Sequence, residues 1–157
     1  VEKLVLVDPA GACPITFARI LKGATAPGFG ELAFGLFGSG QMARSVKSDF
    51  YDPANIKAFV NQYMLQMKYK GFMRAILSTV RNGMLGDFSS SYREVGEQET
   101  PTMLLWGRDD KTVPFTHSEH ILAAIPGAEF HAFDNCGHLP HYEKPEEVNP
   151  LLLEFLK

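Results

Sequence analysis

Two stretches decide the fold: Pro101-Thr-Met-Leu-Leu-Trp-Gly-Arg-Asp-Asp110 and, one predicted helix later, Glu129-Phe-His-Ala-Phe-Asp-Asn-Cys-Gly-His138. Each is a short apolar run that ends in a polar loop. Met103 to Trp106 reads as a strand covered on both faces, and Ala128 to Phe133 as a second. Val113-Pro114 leads into a helix from about Phe115 to Ile125, and Pro126-Gly127 turns the chain back. Parallel strands joined by one crossover helix bring their end loops side by side at the carboxyl edge of the sheet. The first loop delivers Asp109 and Asp110, the second His138. An acid beside a histidine there suggests the acid–base half of a catalytic triad.

Outward from this unit, Leu4-Val-Leu-Val7 is another aliphatic run, stopped by Asp8-Pro-Ala-Gly11. Pro145 to Lys157 predicts a terminal amphipathic helix with Val148, Leu151, Leu152, Phe155 and Leu156 on its apolar face. Between the first strand and Pro101 only helical patterns occur. Residues 12 to 22 suit a short helix or turn, and Phe29, Leu32, Ala33, Leu36 and Phe37 have helical spacing. Ser39 to Ser48 suits a second helix. Asp52-Pro53 has the form of a cap followed by a first helical proline, opening a helix that Gly71 ends. A further helix covers Phe72 to Asn82, with Ala75, Ile76, Thr79 and Val80 inward, and a polar one covers Asp87 to Gln98. The expected organisation is α/β: three parallel strands with flanking helices, built from 1–11 and 100–157, with an all-helical insert over 12–99.

Composition bounds the function. The chain has 157 residues, 45% apolar and 21% charged, which suits an ordinary globular domain. Its net charge of -3 and lack of a basic run speak against nucleic acid or an anionic membrane as partner. Cys13 and Cys136 make no disulfide framework, so a reducing, cytoplasmic setting is expected. The chain begins on a strand and without Met, which suggests processing or a piece of a longer protein.

Among the candidate site residues, Asp110 is the first choice for the acid and His138 for the base. Asp109 and Asp8 remain alternatives for the acid, Asp8 reading more readily as a turn residue before Pro9. Gly137 before the histidine suggests a sharp backbone turn that brings the ring inward. Cys136 reads as a small buried apolar residue rather than a nucleophile. Cys13 follows the first strand and is an alternative nucleophile for a Cys13–His138 pair. His117 and His120 are spaced three apart, as are His138 and His141, but no third ligand has suitable spacing, so neither a metal nor a cofactor is expected.

At these residues the sequence resembles the C-terminal part of the α/β-hydrolase fold, in the branch of meta-cleavage-product hydrolases, epoxide hydrolases, haloalkane dehalogenases and small esterases. Trp106-Gly-Arg-Asp-Asp110 resembles that branch's strand-seven acid loop, with the acid at Asp110. Cys136-Gly-His-Leu-Pro-His-Tyr-Glu143 resembles its histidine loop, and Pro145 to Leu156 its final helix. Val1 to Gly11 looks like strand six. The resemblance implies that the helical insert is a cap over the active site and that the ancestry is hydrolytic, on esters or similar acyl substrates.

The same resemblance exposes a gap. The fold's Gly-x-Ser-x-Gly nucleophile elbow and oxyanion loop precede strand six, and neither occurs here. Ser39 lies between glycines, but Phe37 and Gln41 occupy the outer positions, and Ser89 to Ser91 lack flanking glycines. Three readings follow: a half hydrolase that finds its nucleophile elsewhere, a non-enzymatic binding or assembly module, or a part completed by a separate N-terminal half. Strand six would also be an unpaired apolar edge, so Val1 to Val7 predict self-association into a homo-oligomer. Phe29, Phe34, Phe37, Phe50, Phe59, Met64, Met67 and Met73 pack the cap and weakly suggest an apolar acyl or aromatic ligand.

Overall fold

The structure, a computed structural model, describes residues 1–13, 26, 28, 30, 32, 39–52, 56–84 and 86–157. Three strands form one parallel sheet in the order β1 (Leu4–Val7), β2 (Thr102–Gly107), β3 (Glu129–Phe133). In register, Leu4 faces Thr102 and Val7 faces Leu105 on one side of β2, while Met103 faces Glu129 and Gly107 faces Phe133 on the other. This is the expected three-stranded parallel arrangement. The central strand is buried along its whole length. Its continuous run Met-Leu-Leu-Trp follows from that position, because a middle parallel strand has helices on both faces and no side left for water.

The two faces of β2 are divided by the strand period. Met103 and Leu105 pack with Phe133, Cys136 and Val148, against β1 and the last helix, α7 (Pro145–Phe155). Leu104 and Trp106 pack with Val113, Ile121 and Ile125, against α5 (His117–Ala124) and, through Tyr92 and Val95, α4 (Ser89–Glu97). Trp106 is fully buried, and its indole N–H donates to the carbonyl of Val113 at 3.3 Å. That bond satisfies the one polar group of the ring and fixes the far end of the acid loop.

Among the described residues, α1 (Ser39–Ser48), α2 (Lys57–Gln66), α3 (Phe72–Arg81) and α4 lie between β1 and β2 in the chain. Val46, Phe50 and Ile56 form a separate apolar cluster with Phe59, Val60, Tyr63 and Leu139. Leu139 belongs to the histidine loop, so this cluster seats the helical segment on that loop. A short helix, α6 (Pro140–Glu143), lies within the loop. Its four residues are too few to show a helical period in the sequence, and Pro140 at its first turn has the fixed φ that opens a helix.

Local expectations divide. Asp52 is described and exposed, but α2 starts only at Lys57, and the expected first helical residue Pro53 lies outside the described residues. The expected turn or helix over 12 to 22 also lies largely outside them, as do Phe29, Ala33, Phe34, Leu36 and Phe37. On α3 Leu77 is buried and Ile76 and Val80 are half-buried, while Ala75 and Thr79 are exposed. The sequence spacing predicts the latter two inward; a shift of one position turns a helical face by about 100°. At the C-terminus Leu156 is exposed, just beyond the end of α7. Among the described residues no helix is long and apolar enough to cross a membrane.

Candidate active site

Beyond Gly107 the β2–β3 ladder continues into the loops. The N–H of Arg108 donates to Phe133 at 3.0 Å, and that of Asp109 to Cys136 at 2.9 Å. The acid loop and the histidine loop are therefore joined backbone to backbone. Gly107 sits at their crossing. A side-chain carbon on it would overlap the carbonyl oxygens of Gly137 and Cys136, so no larger residue permits this approach. Gly137 is likewise crowded, by the backbone of Asp49 and Tyr51 and the carboxylate of Glu143. Its backbone is not left-handed; Asn135, at φ 51, takes that turn instead. The glycine before the histidine is thus required by close packing, not by the sharp turn the sequence suggested.

The crossing sets Asp110 against His138. The Oδ2 of Asp110 and the Nδ1 of His138 are 2.8 Å apart. The other oxygen, Oδ1, accepts the backbone N–H groups of Thr112 at 2.7 Å and Val113 at 2.9 Å. The Asp110 side chain is fully buried, and that of His138 is 24% exposed. An ionised carboxylate can only accept, so Nδ1 carries the proton and Nε2 keeps its lone pair. Burial pulls the imidazole pKa down, but the hydrogen bond and charge of Asp110, with Asp8 and Asp49 behind them, outweigh it and hold His138 above the ordinary histidine value.

The other candidates fall into distinct places. Asp109 is exposed and contributes its backbone N–H. Asp8, read from sequence mainly as a turn residue, is buried at 3% exposure with a left-handed backbone. Its Oδ1 accepts the N–H of Gly107 at 2.9 Å, and its Oδ2 is buried without a partner. One ligand atom from each of Asp8, Asp110 and His138 lies within 4.8 Å of the others. Asp110 and His138 already bond each other, which describes a paired acid and base more readily than a cation site. Cys13 is half-buried and does not belong to that group. Cys136 is fully buried. Burial first, then the charges of Glu143 and Asp8, push its thiol up to about 12, so it stays protonated. His141 is exposed on α6.

Two residues at the site had no signal in the sequence. Asp49, just past α1, offers its carbonyl to the N–H of His138 at 2.6 Å, and its carboxylate accepts the hydroxyl of Thr112. Glu143 accepts the N–H of Gly137 at 2.7 Å and of Tyr51 at 2.8 Å. Segment 49–51 is therefore bound to both loops, and the helical segment is tied to the pair by polar bonds as well as by Leu139. Phe50, Phe59 and Tyr142 pack edge to face alongside, with ring centres 5.0 to 5.7 Å apart. Next to them lies an apolar cavity of about 220 Å³, lined by Met42, Val46, Asp49, Phe59, Tyr63 and Leu139, with Ser45 at its side.

Comparison with known proteins places this geometry. The chain is 28% identical to the 2-hydroxy-6-oxo-6-phenylhexa-2,4-dienoate hydrolase of Comamonas testosteroni, across 99% of this chain and 54% of that protein. It is 41% identical, over 71 residues, to 2-hydroxy-6-oxononadienedioate/2-hydroxy-6-oxononatrienedioate hydrolase 2 of Pseudomonas putida, covering 24% of that protein. The fold matches the meta-cleavage product hydrolase of Pseudomonas fluorescens IP01 with a TM-score of 0.71 at 20% identity, over 99% of this chain and 56% of that one. The 2-hydroxy-6-oxo-6-phenylhexa-2,4-dienoate hydrolase of Rhodococcus sp. strain RHA1 matches equally, also at 0.71 and 20%. The chain spans about half the length of the solved structures it resembles. With the model of the alpha/beta hydrolase family matching residues 1–151, the chain belongs to that family.

Proposed function

We propose that this chain is the acid–base arm of a serine-type hydrolase for acyl substrates, in which Asp110 orients His138 and His138 acts as general base. The observation that carries the reading is the buried Asp110 carboxylate, held by two backbone N–H groups and 2.8 Å from Nδ1 of a partly exposed imidazole. With Nδ1 bonded, Nε2 takes the proton of a hydroxyl as its oxygen attacks the substrate carbonyl. The imidazolium, stabilised by Asp110, then gives that proton to the leaving group. A water deprotonated by the same nitrogen releases the acyl group.

The nucleophile and oxyanion donors come from outside this chain in our reading, since it carries no Gly-x-Ser-x-Gly. Segments 1–11 and 100–157 act as the core, and 12–99 as the cap. The relatives are named for 2-hydroxy-6-oxodienoate substrates, and we assign the same class here. The apolar cavity beside Leu139 supports an apolar acyl or aromatic end.

A second reading follows from β1, which has a partner on one side only among the described residues. Its free edge takes another strand, either from a second copy of this chain or from an N-terminal half. Without that half, the chain serves as a binding or assembly module. Turnover of 2-hydroxy-6-oxo-6-phenylhexa-2,4-dienoate and of a short p-nitrophenyl ester separates these readings. With an N-terminal half supplied, we expect activity that His138→Ala abolishes, and labelling of a serine of that half by a fluorophosphonate probe. Activity unchanged in His138→Ala, or none with and without an N-terminal half, contradicts the hydrolase reading.

A further inference from the structure

Among the described residues, Asp8 is a buried carboxyl beside the pair that this mechanism does not use. Its placement is specific. β1 ends at Val7, the N–H of Asp8 makes the last bond of the β1–β2 ladder to Leu105 at 3.0 Å, and the backbone then turns left-handed. That turn points the side chain across the sheet edge instead of into solvent. Oδ1 receives the Gly107 N–H at 2.9 Å, at the crossing of the two loops. Oδ2 is buried and without a hydrogen-bond partner, and one oxygen of this carboxyl lies within 4.8 Å of ligand atoms of both Asp110 and His138.

A buried carboxyl oxygen with no donor is costly unless it gains a proton or faces a cation. An imidazolium at His138 is the cation within reach. The groups that face Asp8 are Asp110 from the acid loop, His138 and Glu143 from the histidine loop, and the Gly107 N–H. Asp110 and Glu143 disfavour its charge, whereas His138 and the N–H favour it. His138 in turn faces Asp110, Asp8 and Asp49, and its charge acts on His141. Asp8 and His138 are therefore linked: each prefers to be charged when the other is.

We infer that Asp8 is a second carboxyl on His138, a positioning residue that binds the acid loop through Gly107 and supports the imidazolium alongside Asp110. The inference rests on the reading of His138 as base, but its test reads the ring's charge and not turnover, so the two can fail separately. The measurement is a pH titration of the His138 Cε1–H resonance by NMR in the intact protein. It compares wild type, Asp8→Asn, Asp110→Asn and the double variant. Asn at position 8 still accepts from Gly107, so the loops stay joined.

The expected result is a midpoint about half a pH unit lower in Asp8→Asn, on the order of a threefold loss of proton affinity. The double variant falls below Asp110→Asn. A His138 midpoint unmoved by Asp8→Asn in both backgrounds overturns the inference. If Asp8→Asn does not fold, the wild type still decides: a second inflection at the His138 resonance, from ionisation of Asp8, supports the link, and a single inflection overturns it.

Discussion

Asp110 meets His138 with one carboxylate oxygen, at 2.8 Å, and meets its own loop with the other, through the N–H groups of Thr112 and Val113. One side chain thus fixes the loop and the ring together. Removing it has two separable consequences, and the two obvious substitutions separate them.

Asp110→Ala leaves two backbone donors, the buried N–H of Val113 and the partly buried N–H of Thr112, without an acceptor. We expect a loss of about 2–3 kcal/mol in unfolding free energy, read by denaturant titration. Asp110→Asn keeps an acceptor for those donors but offers the ring an ambiguous partner. Its stability should stay close to wild type, while kcat of the active hydrolase drops by about 10³ to 10⁴. Equal stability in the two variants would contradict the double role.

The crossing at Gly107 predicts a steep steric penalty. Gly107→Ala places a methyl against the carbonyls of Gly137 and Cys136. We expect destabilisation of about 1–3 kcal/mol, with the largest amide shifts at Asp109 and His138. A thermal midpoint equal to wild type would mean that the loops do not cross so closely.

How much of this was legible in the sequence depends on distance along the chain. The strands announced themselves as short apolar runs, and a strand–helix–strand unit brings its two loops together wherever it occurs, so Asp110 and His138 could be paired in advance. Asp49 and Glu143 could not. The first reaches Thr112 and the second reaches Tyr51, contacts between distant segments that leave no periodic trace. Asp8 was hidden differently: Asp-Pro after a strand is the ordinary signature of a turn, and only the left-handed backbone directs its carboxyl inward. On α3, apolar and small residues both suit a helix interior, and the burial of Leu77 is decided by packing partners elsewhere.

Stability should fall as pH rises toward neutrality and beyond, through two groups of the same sign. Burial, aided by Asp110 and Glu143, raises the Asp8 carboxyl from 3.8 to about 7 against the pull of Gly107 and His138. The folded chain then binds a proton the unfolded chain has lost, and this contribution declines as pH climbs from about 4 to about 7. His138, raised above 6.5, contributes fully below that value and loses its contribution as pH passes its folded pKa. The difference in thermal midpoint, Asp8→Asn minus wild type, should therefore grow between pH 4 and pH 8. A difference independent of pH would contradict the assignment to Asp8.

Glu143 joins the histidine loop to the segment after α1 through Gly137 and Tyr51. Glu143→Ala should cost about 1–3 kcal/mol and speed hydrogen exchange at both of those amides together. Exchange that rises at only one of them would show that the bridge does not act as a unit.

Among the described residues β1 is paired on one side only, which predicts association that depends on concentration. Sedimentation velocity should give a species heavier than one chain, shifting to monomer on dilution. A strict monomer at all concentrations would remove self-pairing through Val1 to Val7.

The central claim is that Asp110 holds His138 with the proton on Nδ1 and a free lone pair on Nε2. Long-range ¹H–¹⁵N correlation of the imidazole above its titration midpoint reads this directly. The account predicts a single Nδ1–H tautomer, lost or mixed in Asp110→Asn. An Nε2–H tautomer in the wild type, or a spectrum indifferent to Asp110→Asn, would contradict it.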